Sequence, residues 1–396
     1  MRDKFLPILF LLSLISTCAE VDISVPGFVQ IADFFNVSER LIQATITYNF
    51  IGYFIGAFLY GPLSDAFGRR KVMLFGNAIL SLGAIGCFIA PTVSFLLAAR
   101  FIQGIGAATS VVLVFTMIAD LYQGEKAMKL IGLMNAALAI IMAVAPLAGG
   151  LINHAIGWRG NYGSVALFSV LVWMLMCVYL PESKKERESL KLNSVVNHYK
   201  TLFLSYRFMN ASLIPSLLFA AYMSYIAASA FLYQAHYGLS TIQFVIHQAI
   251  IVSSFSIVSL YANRVIAMFG PRNTVRNGIL LCCLSLFTLI VLSIESITSP
   301  YLMTLFMSLF SIGFAALYPI VFSSSLSIFP ALHGPASSAI MGTRALLVSL
   351  STAFTSFLYD GNTLSLALSI AIGVSLAALF TMSWLSNDSK KEQAAA

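Results

Sequence analysis

Gly61-Pro62-Leu63-Ser64-Asp65-Ala66-Phe67-Gly68-Arg69-Arg70-Lys71 sets one acid, two glycines and three consecutive cations between two long apolar runs. Charged residues make up only 9% of this 396-residue chain, so the cluster marks a place where the chain leaves an apolar medium and turns back. Hydrophobic residues reach 59% and the mean hydropathy is +0.90, more than a soluble domain can bury. A hydrocarbon layer about 30 Å thick needs about 20 apolar residues per helix. Working outward from the quoted turn gives twelve such runs: 5–27, 40–62, 72–91, 94–119, 128–152 and 161–181, then 208–232, 241–263, 275–295, 299–325, 336–359 and 363–385. A barrel is excluded, because its strands need only about 10 residues of alternating polarity and these runs are longer and apolar on every side. The expected fold is all-α and polytopic, with no room for a sizeable soluble domain.

Lys and Arg are retained on the cytoplasmic side of a membrane. With the N-terminus inside, 18 of the 22 cations fall in cytoplasmic segments; Arg40 and Arg159 lie outside, and Arg100 and Arg344 lie within spans. Both termini are therefore expected to be cytoplasmic, in a multi-pass protein of the inner (cytoplasmic) membrane. Topology and anionic lipid account for the net charge of +7, which leaves no case for nucleic-acid binding. Arg2 and Lys4 before an apolar run ending Ser16-Thr17-Cys18-Ala19 imitate a cleavable signal or a lipoprotein site. Removing that run would leave an odd number of spans against the charge pattern, so it is read as span 1. The five cysteines, Cys18, Cys87, Cys177, Cys282 and Cys283, have no metal-type spacing and are expected as small buried apolar residues.

The longest polar interval, Pro181 to Arg207, divides the chain into an N-terminal six-helix bundle (1–181), a cytoplasmic linker (182–207), a C-terminal six-helix bundle (208–385) and a tail (386–396). Phe67-Gly68-Arg69-Arg70 after span 2 recurs as Phe269-Gly270-Pro271-Arg272 after span 8, which points to two copies of one unit. Asp65 has no counterpart in the second copy. Transporters built from repeats place their site between the halves, near the bilayer midplane.

The turn after span 2 resembles the cytoplasmic-loop motif of the major facilitator superfamily, matching at Gly61, Leu63, Asp65, Gly68, Arg69, Arg70 and Lys71, with Ala66 where a cation is usual. Arg100-Phe101-Ile102-Gln103-Gly104-Ile105-Gly106-Ala107 in span 4 is similar to the family's buried-arginine motif. In span 5, Gly132, Pro146, Gly149 and Gly150 resemble the antiporter motif, with Ile141 and Ala145 replacing two of its glycines. The resemblance implies two pseudo-symmetric six-helix bundles that rock about a central site.

At the turn, glycines permit a tight reversal, and Asp65 with its neighbouring cations can pair across helix ends, forming a conformational latch. Read more plainly, Arg69, Arg70 and Lys71 are topogenic charge. Pro146 beside Gly149 and Gly150 removes a backbone hydrogen bond and lets another helix approach closely, or simply kinks the span.

Four charges lie well inside the spans, where each costs roughly 2.5 to 3.5 kcal/mol or more unless paired or hydrated. They are Glu20, Asp22, Arg100 and Arg344. Counting from the outer span ends puts Asp22 and Arg100 at one depth. An acid near an arginine in a partly dry cavity suits proton coupling, because opening and closing change how strongly the site favours the charged form. Glu20 and Asp22, two apart, diverge by about 200° on a helix and cannot line one face. Asp22 is the favoured cavity acid, since Asp22-Ile23-Ser24-Val25-Pro26 resembles the acid-to-proline spacing of drug/proton antiporters of the bicyclomycin-resistance group. Glu20 stands as a second proton site or a cation-recognising carboxylate. Alternatively, Asp22 is a structural partner of Arg100, or Arg100 merely packs against backbone carbonyls. Arg344 either faces the cavity, favouring an anionic or zwitterionic substrate, or snorkels to the surface.

Further cavity candidates are Tyr48, Asn49 and Tyr53 in span 2, Gln103 in span 4, Asn135 and Met142 in span 5, and Tyr222 and Tyr225 in span 7. His247 and Gln248 in span 8 and Phe310, Phe314 and Tyr318 in span 10 complete the set. Aromatics and Met offer a broad adaptable surface. No Gly-rich run ends in Lys-Ser or Lys-Thr, and no His/Cys cluster or Ser-His-Asp arrangement is visible, so no cofactor, metal or enzyme chemistry is expected. The expected function is secondary transport by alternating access: efflux of a drug-like or metabolite molecule against protons, by a monomer. The alternatives are movement of an anionic natural product such as a siderophore on Arg100 and Arg344, or a membrane enzyme or sensor.

Overall fold

A computed structural model of the chain describes residues 2–184, 192–329 and 332–395. Among them are twelve helices long and apolar enough to cross a membrane. The first six cover Phe5–Phe35, Glu39–Phe67, Arg69–Ile89, Val93–Leu121, Gly124–Ile156 and Trp158–Tyr179. The second six cover Tyr206–His236, Thr241–Leu260, Pro271–Ile294, Pro300–Ser327, Gly334–Leu358 and Thr363–Ser386. No strand occurs among the described residues. Spans 4, 8 and 10 open on side-chain caps, with Thr92, Ser240 and Ser299 accepting from the amides of Phe95, Gln243 and Leu302. Each cap satisfies an amide that the first helical turn would otherwise leave bare in lipid.

The repeated Phe-Gly pair is a repeated turn. Gly68 (φ 97°, ψ 145°) and Gly270 (φ 76°, ψ 154°) both sit at left-handed φ, between spans 2 and 3 and before span 9. A side chain at either position would be strained.

Two spans depart from the sequence expectation. Span 1 does not end near Pro26; it passes through a single 3₁₀ turn, Val25–Gly27, and resumes as a helix over Phe28–Phe35. Proline at the start of that turn supplies no amide, so the chain re-forms a helix after it without losing a further bond. Span 7 changes character in the same place, ending in a π-type segment Phe231–His236. The two irregular segments meet: Gln234 Nε2 donates to the carbonyl of Pro26 at 3.2 Å, and the Phe28 and Phe231 rings lie 6.3 Å apart. The backbone of the last helix continues into the tail as far as Ala395.

Span 2 packs along span 11, and span 5 along span 8, so these four helices join the halves. Thr47 and Thr352 share a hydrogen bond of 2.9 Å across the first seam, where Gly342 also admits the Phe58 ring. Gly150 faces Val245 at the second seam. Of the linker, 185–191 lie outside the described residues, and Leu192–Leu204 form a helix. Tyr199 of that helix donates to the Phe58 carbonyl at 3.3 Å, and burial pushes its phenol up to about 12.

Candidate functional site

A cavity of about 1560 Å³ lies between the halves. It runs from Glu20, Asp22 and Tyr222 at mid-molecule to Asp65, Arg69 and Lys184 at the end that carries both termini. At the opposite end the Pro26 and Gln234 contact and the Phe28 and Phe231 rings close the halves on each other.

Arg100 is fully buried, and its partner is Glu20, itself 1% exposed, rather than Asp22. Arg100 Nη1 donates to Glu20 Oε2 and, at 2.8 Å, to Gln103 Oε1. Asn49 Nδ2 donates to the other Glu20 oxygen at 2.8 Å and also lies 3.3 Å from the Arg100 carbonyl. The Tyr162 ring sits 5.9 Å from the guanidinium. Equal depth had suggested Asp22, but azimuth decides which acid meets span 4. The two acids do diverge: Glu20 turns to spans 2 and 4, while Asp22 turns to Tyr222 of span 7, which is within its electrostatic reach. The cavity is wide enough to touch both, contrary to the expectation that only one would reach it. Among the described residues Asp22 makes no hydrogen bond and no ion pair.

Arg344 lines the cavity and does not snorkel away. Its Nη1 donates to the Tyr318 hydroxyl at 3.2 Å, and its guanidinium lies 4.8 Å from the Phe219 ring centroid. Asn49, Tyr53, Asn135, Met142, Tyr222, Phe314 and Tyr318 also line the cavity. Tyr48, 42% exposed, is on the periphery, because one residue from Asn49 is about 100° round the helix. Gln103 is buried behind the wall, positioning Arg100. Tyr225 donates to Gln248 Oε1 at 3.1 Å, and His247 Nδ1 bonds Thr304 at 2.8 Å, so these three are tied up inside the C-terminal helices. Phe310 packs behind Phe314, with ring centroids 6.2 Å apart.

The sequence reading missed Cys18, Phe219 and Met223, all of which line the cavity. Helical spacing could have found them. Cys18 is four residues before Asp22, and Phe219 shares a face with Tyr222 three residues on and with Met223 four residues on. All five cysteines are free thiols, but Cys18, Cys177 and Cys283 are only half-buried, so the expectation of five buried cysteines holds for Cys87 and Cys282 alone.

The turn carries a dense polar cluster. Asp65 pairs with Arg69 at 2.9 Å and Lys184 at 2.7 Å, and Arg69 reaches Asp120 at 3.2 Å. Glu182 Oε1 accepts the Arg69 amide at 2.8 Å, capping span 3 where Gly68 leaves room for it. Arg70 caps the other chain end, donating to the carbonyls of Leu180 at 2.7 Å and Cys177 at 2.8 Å. These contacts join spans 2, 3, 4 and 6 to the start of the linker, so they tie the first half together.

In span 5, Gly149 presses on the backbone of Ile23, next to Asp22, and Gly150 faces Val245 of span 8. Gly132 has no neighbour within 4 Å of a would-be Cβ, so no close approach explains that glycine. Gly149→Val should drive the backbones of spans 1 and 5 apart at the acid. We expect transport to fall about tenfold or more, read as substrate flux in vesicles and normalised to folded protein. Unchanged flux would show that this approach is incidental.

The family model "Major Facilitator Superfamily" matches residues 10–352. Multidrug resistance protein MdtM of Escherichia coli is 24% identical over 397 residues, covering 99% of this chain and 96% of that protein. A bicyclomycin resistance protein homolog of Haemophilus influenzae is 26% identical over 267 residues, 67% of each chain. The crystal structure of a D-xylose-proton symporter superposes with a TM-score of 0.76 at 19% identity, covering 95% of this chain and 96% of its own. The repeated glycine turn, the twelve spans joined across a central cavity and these matches together make the chain a member of the major facilitator superfamily, a membrane transporter and not an enzyme.

Proposed function

We propose that this transporter exports drug-like or metabolite molecules in exchange for protons, alternating the access of its central cavity. The observation that carries the reading is Asp22, an acid inside a membrane-spanning helix, on the cavity wall, with neither hydrogen bond nor ion pair among the described residues. Such a group is neutralised either by a proton or by a cationic part of a substrate, and that competition is the elementary step of exchange. The names of the relatives, multidrug and bicyclomycin resistance proteins, support efflux over uptake.

The bias of 18 among 22 cations supports a cytoplasmic terminal end, and on that reading the cavity faces inward. In the cycle, protonation of Asp22 from outside releases substrate, and deprotonation to the cytoplasm restores binding. Glu20, paired with Arg100, serves as the fixed wall of the site. The cluster around Asp65 is the latch, re-pairing as the halves rock. Asp65→Asn should slow turnover while leaving substrate affinity unchanged, since Asp65 lies at the far end of the cavity from Asp22. The siderophore alternative loses half its basis, because Arg100 is consumed by Glu20.

The test is transport into proteoliposomes carrying an imposed pH gradient. Compounds found by thermal shift to bind should move against the gradient and release trapped protons in proportion. Binding compounds that move at the same rate with and without the gradient would refute proton exchange.

A further inference from the structure

One cavity charge has no role in the proton cycle. Arg344 of span 11 is half-buried and meets the Tyr318 and Tyr53 hydroxyls, the Phe219 ring and the Met341 sulfur, all neutral. No carboxylate among the described residues forms a salt bridge with it. The other cavity charges fall into two groups. Glu20 is matched by Arg100, and Asp65, at the terminal end, by Arg69 and Lys184. Asp22 and Arg344 are left, one acid and one base without counter-ions.

Both line the one cavity, Asp22 from span 1 and Arg344 from span 11. Cys18 lies within electrostatic reach of both, and it sits one helical turn, about 6 Å, from Asp22 on the same face of span 1. Phe219 and Tyr222 of span 7 line the wall opposite, Phe219 under the guanidinium and Tyr222 near the carboxylate. We infer that the cavity selects amphipathic zwitterions, with an oxyanion of the substrate on Arg344, its cationic group on Asp22 and its apolar body against the span 7 aromatics.

The argument is one of charge matching. A guanidinium in a membrane interior is costly without an anion, and its planar fork suits a carboxylate or similar oxyanion bidentately. Stacking on Phe219 and the bond to the Tyr318 hydroxyl hold that fork in place before the ligand arrives, which limits the ordering cost of binding. A simple lipophilic cation would satisfy Asp22 but face Arg344 as a like charge. A simple anion would meet the reverse conflict. Only a molecule carrying both signs meets both groups.

This inference rests on the transport reading for its use, yet binding tests it separately. The full-length protein in lipid nanodiscs is titrated by fluorescence anisotropy with two matched dyes, a rhodamine bearing a free carboxylate and its methyl ester, which differ only in the anion. The wild type should bind the acid about tenfold tighter than the ester. Arg344→Gln should remove that preference by weakening the acid alone, and Arg344→Lys should restore part of it. Ester binding, retained in Arg344→Gln, reports that the variant is folded. A wild type that does not prefer the acid overturns the proposal whatever happens to the variants, and so does an Arg344→Gln that weakens both dyes alike. Movement of the dyes under a pH gradient is read in separate vesicles. Acid preference without transport would sink the transport reading and leave the substrate class standing; transport without acid preference would do the opposite.

Discussion

Asp22→Asn is expected to uncouple transport from protons while leaving a folded protein. In the proposed cycle a proton and a substrate cation exclude each other at one carboxylate, so the apparent substrate affinity changes by up to about tenfold per pH unit where the acid titrates. Asparagine keeps the shape and can still accept a hydrogen bond, but it carries no charge for either competitor. The pH dependence of binding should therefore flatten, and gradient-driven flux should fall to the level of empty vesicles. Folding should survive, since among the described residues Asp22 makes no hydrogen bond or ion pair that the substitution would break, and thermal stability in nanodiscs would check this. If pH-driven transport persisted both in Asp22→Asn and in Glu20→Gln, proton coupling through span 1 would have to be abandoned.

The second large effect concerns stability. Glu20 and Arg100 are almost completely buried and joined by a salt bridge, with Asn49 donating to the second Glu20 oxygen and Gln103 accepting from the same Arg100 Nη1. Removing one partner strands the other charge, which costs about 3–5 kcal/mol at a buried site. Arg100→Gln and Glu20→Gln should each lower thermal stability sharply and reduce the yield of folded protein. The double variant Glu20→Gln, Arg100→Gln should recover much of that loss, because two neutral amides strand nothing. A single variant as stable as the wild type would mean that water or lipid reaches this pair, and its role as a dry structural wall would fall.

The two experiments separate roles that residue identity alone had merged. Acid and arginine at matching depth looked like one coupling pair. In the fold they are two systems: Glu20 with Arg100, a closed internal ion pair, and Asp22 with Arg344, two uncompensated charges on a cavity wall. The distinction is angular. A helix places residues two apart on nearly opposite sides, so a change of one partner from Asp22 to Glu20 shifts the depth by only about 3 Å.

Other parts of the site show where sequence patterns carry information and where they lose it. Asn49 and Tyr53, four apart, share a face and both line the cavity, whereas Tyr48 beside them looks outward. Spacing thus groups residues correctly but cannot say which group faces inward. Most spans here are apolar all round, so no amphipathic stripe marks the face. His247 was a cavity candidate by type, but Thr304 of the neighbouring helix takes its Nδ1, and a hydrogen bond between two helices is invisible from either one.

The chain by itself determined twelve helices, their repeat and the tight turns at Gly68 and Gly270. Those features follow from local physics, because lipid demands long apolar runs with internally satisfied backbones and a reversal at positive φ demands glycine. Tertiary structure decided what each buried charge is for. It continued span 1 past Pro26 to close one end with Gln234, gave Arg100 to Glu20, and left Asp22 and Arg344 to face an open cavity. A charge in a membrane acts through its nearest countercharge, and that neighbour comes from a helix tens or hundreds of residues away.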